Sequence, residues 1–380
     1  MEIYVVQSGD TVNEIAAAFG VLAQTIIQDN QLIYPYELAV GQALFIGIGE
    51  RNPSRSLSVS GYAYPFISPW VLNQTLPFLS ELPVFSYGFT YDGELILPLW
   101  DDEWMITAAQ RQSVQPILTL TPFGPDGNFN NTLISSVVNN TAYADNLIQN
   151  LLTLMGQKGY QGIDIDFEFI LATDRDAFTE FVRRIADAMR ANGYHTSVAL
   201  APKTSADQRG LLYEGKDYRA LGEVADHVLL MTYEWGYTYG PPMAVAPINQ
   251  VRRVVEYALT EIPAEKIDLG IPNYGYDWPL PYERGVTEAT TIGNVQAVRI
   301  AVREGVEIQF DEVARSPYFR YLDNNTGIKR EVWFEDVRSL QAKFDLIKEF
   351  NLRGAGYWQI MQWFRANWLL LSDNFYVTKG

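Results

Sequence analysis

The chain has 380 residues, a net charge of −17, two histidines and no cysteine. Nucleic acid and anionic membranes are excluded as partners because both need a basic face, and disulfides, thiol nucleophiles and thiolate metal sites are excluded because all need cysteine. His195 and His227 are too few for a histidine-rich metal centre, so chemistry falls mainly on carboxylates and tyrosines.

The length suits a large barrel, which often takes about 250 residues or more, plus an appendage. A hydrophobic share of 48% supports a large core, and nine Trp and 23 Tyr fit a cleft whose ring faces pack on sugars. No stretch approaches the roughly 20 apolar residues of a bilayer span. The N-terminus begins directly as a strand, without the basic and apolar segments of a secretory signal, so ordinary secretion is not expected.

Residues 1–48 read as strand, helix, helix, strand, at 3–6, 11–19, 22–29 and 43–46. Ser8, Gly9, Asp10 and Thr11 supply a turn and an N-cap, and Gly20 closes the first helix. Ile15, Phe19, Ile26, Ile27, Leu38 and Leu44 form the expected core. The run Tyr4-Val5-Val6-Gln7-Ser8-Gly9-Asp10-Thr11, the pair Asp29-Asn30 and the run Val40-Gly41-Gln42-Ala43-Leu44 resemble a LysM module. That resemblance implies binding of N-acetylglucosamine glycans in a groove formed by Ser8, Gly9, Asp10 and Thr11 with the loop 31–36. Residues 49–56, polar and without periodicity, read as a linker.

From residue 57 onward short apolar strands alternate with helical stretches, the pattern of repeated βα units. Strands are expected at 57–62, 84–89, 116–121, 162–168, 196–201, 227–233, 267–274 and 354–358, with helices such as 142–158, 174–192 and 250–260 between them. The fold class is therefore α/β, a (β/α)8 TIM barrel. One connection is too long for a single helix, so 277–333 is read as a small α+β insertion after the seventh strand, walling one side of a cleft.

The fourth strand carries Asp164, Asp166 and Glu168 at alternate positions between Ile163, Ile165 and Phe167. Alternation places the three acids on one face, roughly 7 Å apart in succession. A solvated strand face, or a calcium or magnesium site, would also produce such spacing. Inside a barrel the face is not solvated, and neighbouring acids raise one another's pKa, so one should hold a proton near neutral pH. Glycoside cleavage needs such a proton donor, and Glu168 lies outermost, at the catalytic end of the strand.

The pattern resembles glycoside hydrolase family 18, whose fourth strand reads Asp-x-x-Asp-x-Asp-x-Glu, with Gln161 here in the first Asp position. Met231-Thr232-Tyr233-Glu234 matches that family's Met-x-Tyr-Asp with Glu for Asp, and Trp358 matches its aromatic floor. The Ser-x-Gly-Gly pattern of the third strand is absent, replaced by Leu118-Thr119-Leu120-Thr121. The resemblance implies substrate-assisted retention without metal or cofactor. Glu168 would be the acid, Asp166 the partner of the substrate acetamide, Asp164 a proton-sharing neighbour, and Tyr233 a donor to the acetamide carbonyl. Met231, Trp235, Asn273, Tyr274 and Trp358 would line the cleft.

Phe85-Ser86-Tyr87 with Asp92-Gly93, the stretch 235–247, and Val332-Trp333-Phe334-Glu335-Asp336 resemble the spore cortex-lytic branch of that family, although its members commonly carry two LysM modules and one is visible here. This implies a monomeric N-acetylglucosaminidase acting on peptidoglycan, located in the spore cortex or coat or in the cell wall. A chitinase acting on chitin-type glycan is the alternative enzyme. A wall-binding lectin with a dead site, or a structural wall protein, is the alternative from another class.

Overall fold

The computed structural model describes residues 1–51, 53, 55–124 and 127–379. Among these, eight parallel strands close into a barrel: Arg55–Gly61, Glu81–Phe89, Gln115–Leu120, Gly162–Ile165, His195–Leu200, His227–Leu230, Ile267–Pro272 and Gly354–Trp358. Strands two to eight pair in chain order except that the eighth returns to the first, which closes on the second through Ser60 and Glu81. Every expected strand is present, the eighth with the expected bounds and the others with one or both ends shifted. The fourth stops at Ile165, although the Asp166 amide still donates to the Leu120 carbonyl at 3.0 Å.

The alternation foreseen in the sequence sorts the barrel walls. Ile163, Ile165, Leu118, Leu120, Val198 and Leu200 point outward into the core shared with the helices, each such burial contributing roughly 1.5–3 kcal/mol. The inward positions carry polar groups: Thr119 and Ser197 stand level with Asp164 on the neighbouring strands. The expected linker 49–56 is shorter than anticipated, because Arg55 and Ser56 already belong to the first barrel strand. They pair there with a C-terminal strand, Phe375–Val377, that has no counterpart in the sequence reading. Asn52 and Ser54 of that linker lie outside the described residues.

The long connection after the seventh strand is a five-stranded antiparallel sheet with one helix, Asn294–Glu304. It starts earlier than expected, at Gly275–Pro279, so Tyr276 belongs to a strand rather than a loop. At the N-terminus, Glu2–Val5 pairs with Ala43–Ile46, and helices Val12–Phe19 and Ala23–Asp29 cover that ribbon. Val6, Val12, Ile15, Ile26, Leu44 and Ile46 form its core, with Phe19, Ile27 and Leu38 partly buried against it.

This module is seated on the rest of the chain. The Ile308 amide donates to the Val40 carbonyl at 2.8 Å, and Arg338 donates to the Gly41 carbonyl at 3.1 Å. Gly41 has φ +81°, and a Cβ there would lie 1.9 Å from the Ile308 oxygen, so only glycine permits the approach. On another side Asp29 pairs with Arg365 at 2.9 Å, while the Gln31 side chain accepts from the Arg365 amide and donates to the Trp363 carbonyl. No helix among the described residues is long and apolar enough to cross a membrane.

Candidate active site

Phe167 fixes the acid-bearing segment. Its ring points away from the barrel axis and packs against Phe89, Phe178 and Phe181 at centroid distances of 5.4, 5.8 and 5.9 Å. With that ring clamped, its neighbours Asp166 and Glu168 must face the opposite way, into the barrel mouth. Asp164 lies deepest: it accepts from the Tyr62 hydroxyl at 2.8 Å and the Ser197 hydroxyl at 2.6 Å. Burial raises its pKa, and those two hydroxyls partly offset the rise.

Asp166 is buried as well, and its Oδ1 has no hydrogen-bond partner. Burial, then the charges of Glu168 and Asp164, push its pKa well above the carboxylate range. An aspartate oxygen without a partner in such a place is costly unless a proton or ligand satisfies it. Glu168 is half-buried at the rim, and its pKa is raised by burial. Burial thus raises all three acids, Asp166 the most because its neighbours' charges add to it.

Around the acids stand rings. Tyr233 is 9% exposed, and burial with the charges of Asp166 and Glu168 raises its pKa far above that of a free phenol, so it remains a hydroxyl donor. Room for its ring comes from Gly270, where a Cβ would lie 2.9 Å from the Tyr233 Cε1. Trp358 contacts Tyr62, Tyr64 and Phe85 with centroids 4.9–6.1 Å apart, and Met231 joins the same cluster. Glu234 adopts φ +68°, a conformation unusual for a residue with a side chain. Two tyrosine hydroxyls hold it there, Tyr274 and, at 2.9 Å, Tyr276.

The profile of the glycosyl hydrolases family 18 matches residues 96–362. The chain belongs to glycosyl hydrolase family 18. It is a glycoside hydrolase, and its N-terminal residues 4–47 match the LysM domain. The chain is 40% identical to the cortical fragment-lytic enzyme of Bacillus subtilis strain 168, over all of this chain and 99% of that protein. The crystal structure of the spore cortex-lytic enzyme SleL of Bacillus megaterium superposes with a TM-score of 0.94 at 35% identity, covering 100% of this chain and 99% of that one. SleL of Bacillus cereus superposes with a TM-score of 0.93 at 33% identity and the same coverage.

Within this family 18 barrel, the other expected residues make the following contacts. Asn273 donates both amide hydrogens to the carbonyls of Gln359 and Gln362, at 3.1 and 3.0 Å, so it positions the loop after Trp358. Trp235 is half-buried, its amide bonded to the Val245 carbonyl. Gln161, the departure from the family pattern, precedes the fourth strand and lines a surface depression with His195 and Asp226, at the opposite end of the strand from Glu168. Ser8, Gly9, Asp10 and Thr11 lie on the module. Asp10 accepts from the Tyr4 hydroxyl and the Gln7 amide at 2.7 Å each, and Thr11 forms a capping box with Glu14. Their hydrogen bonds are local, and Ser8 and Gly9 are exposed.

One residue of the family 18 site had no signal in the sequence. Lys216, in the loop after the fifth strand, is fully buried, and its ammonium has no hydrogen-bond partner. Burial lowers its pKa to about 8, against the opposing pull of Glu168 and Asp166. Its charge in turn favours the ionised forms of both acids. Removing that charge raises the pKa of Glu168, so the protonated acid persists to higher pH. Lys216→Met is therefore expected to move the alkaline limb of the kcat/KM profile upward. An alkaline limb unmoved or shifted downward would exclude this coupling.

Proposed function

We propose that this enzyme cleaves the β-linked N-acetylglucosaminyl bonds of spore cortex peptidoglycan, with retention and with the substrate's own acetamide as nucleophile. The observation that supports this most is the unpartnered Oδ1 of buried Asp166 between Glu168 and Tyr233. Such a free acceptor fits an acetamide N–H.

In this reading the sugar sits on Trp358, walled by Met231, Trp235 and Tyr274. Glu168 gives its proton to the glycosidic oxygen as the bond to the anomeric carbon breaks. The acetamide oxygen forms the new bond to that carbon, with Asp166 accepting the N–H and Tyr233 donating to the carbonyl oxygen. Water then attacks the anomeric carbon as its bond to the acetamide oxygen breaks, and loses a proton to Glu168, which restores the acid and the free acetamide. Two displacements return the original configuration, and no enzyme carboxylate bonds to the sugar, the substrate-assisted exception among glycosidases.

The cortex assignment rests on full-length similarity to proteins named for cortical fragments and spore cortex. The LysM module would hold the same glycan, with Ser8, Gly9, Asp10 and Thr11 in its groove, and the enzyme would act as a monomer in the spore. Incubation with spore cortex, vegetative peptidoglycan and chitin oligomers, followed by identification of new reducing ends, tests the proposal. N-acetylglucosamine ends from cortex are expected. Release from chitin alone would favour a chitinase, and binding without any release would favour a lectin.

A further inference from the structure

The two histidines lie together at the end of the barrel opposite Glu168. His195 and His227 open the fifth and sixth strands, and Glu81 opens the second. The histidine rings are 5.7 Å apart, and His195 Nε2 and His227 Nε2 lie 3.9 and 3.7 Å from the two oxygens of Glu81. Both Nε2 atoms are buried and without a hydrogen-bond partner. One ligand atom from each of the three residues falls within 4.8 Å of the others.

Asp268 sets the tautomer of the His227 ring. His227 Nδ1 lies 2.8 Å from Asp268 Oδ2. A carboxylate only accepts, so Nδ1 carries the hydrogen, and in the neutral ring Nε2 turns a lone pair toward Glu81. Carboxylate behind imidazole is the arrangement that orients histidines bound to metal. A lone pair facing a carboxylate is repulsive unless a cation stands between them.

The space is built in. A Cβ at Gly162 would lie 2.6 Å from the His195 ring, and one at Gly354 would lie 2.4 Å from Asp268 Oδ1. Arg353 bonds Glu81 at 2.8 Å and Asp268 at 2.6 Å, so two carboxylates against one guanidinium leave one negative charge beside two imidazoles.

We propose that Glu81, His195 and His227 bind one divalent transition cation of the zinc type, which ties three barrel strands together at the floor. Two nitrogens and one oxygen form a donor set zinc favours, with a fourth position for water. Tetrahedral zinc at ~2.0–2.1 Å from each ligand needs donor atoms about 3.4 Å apart, so the three groups, whose ligand atoms lie within 4.8 Å of one another, close in around the ion by side-chain rotation. The depression lined by Gln115, Gln161, Arg190, His195 and Asp226 gives access from solvent.

The competing occupant is a proton on His227, held among Glu81, Asp268, His195 and Arg353. At 3.7 Å, however, Nε2 is too far from Glu81 for a hydrogen bond. The test uses the full chain, dialysed against EDTA and titrated with zinc chloride. With only two histidines, the imidazole ¹⁵N spectrum reads the site directly. The expected result is one zinc per chain, movement of both Nε2 signals, and a melting temperature raised by about 3 °C at a hundredfold excess over Kd. His195→Gln should lose all three responses and Glu168→Gln should keep them. Imidazole signals that respond to pH but not to zinc, or zinc binding lost in Glu168→Gln and kept in His195→Gln, would overturn the assignment.

Discussion

Glu168→Gln is expected to lower kcat by about 10²–10⁴-fold, the usual contribution of a positioned proton donor, while KM changes little. The amide keeps the shape of the side chain and its place at the rim, so binding contacts survive, but it has no acidic proton to give. Glu168 suits the role because it is the outermost acid and burial raises its pKa, keeping the proton on to higher pH than in water. A second substrate makes the test specific. An aryl glycoside with an acidic leaving group needs little protonation, so Glu168→Gln should regain much of its rate on such a compound. Equal losses on both substrates would remove Glu168 from proton donation.

Asp166→Asn should be nearly as damaging, at about 10²–10³-fold in kcat, the cost of losing a group aimed at charge that develops in the transition state. The acetamide acquires positive character as its oxygen attacks, which favours the ionised form of Asp166, and that carboxylate stabilises the charge where an amide cannot. The loss should therefore appear in kcat rather than KM. Stability separates this from simple damage. Asp166 is buried, has an unpartnered oxygen and is repelled by Asp164 and Glu168, so the neutral replacement should hold or raise the melting temperature. A kcat within threefold of wild type, or activity lost together with the fold, would count against this role.

The barrel was legible because its strands follow simple alternation. Ile163, Ile165 and Phe167 on one side with Asp164, Asp166 and Glu168 on the other could be read directly, and the clamped ring of Phe167 shows why that reading extends past the last paired residue. Strand ends were less legible, since they depend on neighbours: Arg55 and Ser56 look like linker until the C-terminal strand Phe375–Val377 lies beside them. Partners of the acids were hidden for the same reason. Tyr62 and Ser197 stand 102 and 33 positions from Asp164, and only barrel closure brings them together. Lys216 carried no signal at all, because a lone lysine in a loop is ordinary until burial makes it unusual. The hold of Asn273 on the loop after Trp358 was hidden too, since its partners Gln359 and Gln362 lie 86 and 89 positions away.

The grip of Asp29 and Gln31 on the stretch between Trp363 and Arg365 has a consequence for how a polymer would be handled. That stretch lies just beyond Trp358, so the module has no slack tether along which to roam. A strand held by the module would reach Glu168 at one fixed standoff, and the cut sites along a long glycan would inherit that interval, as graduations inherit the pitch of the ruler that marks them.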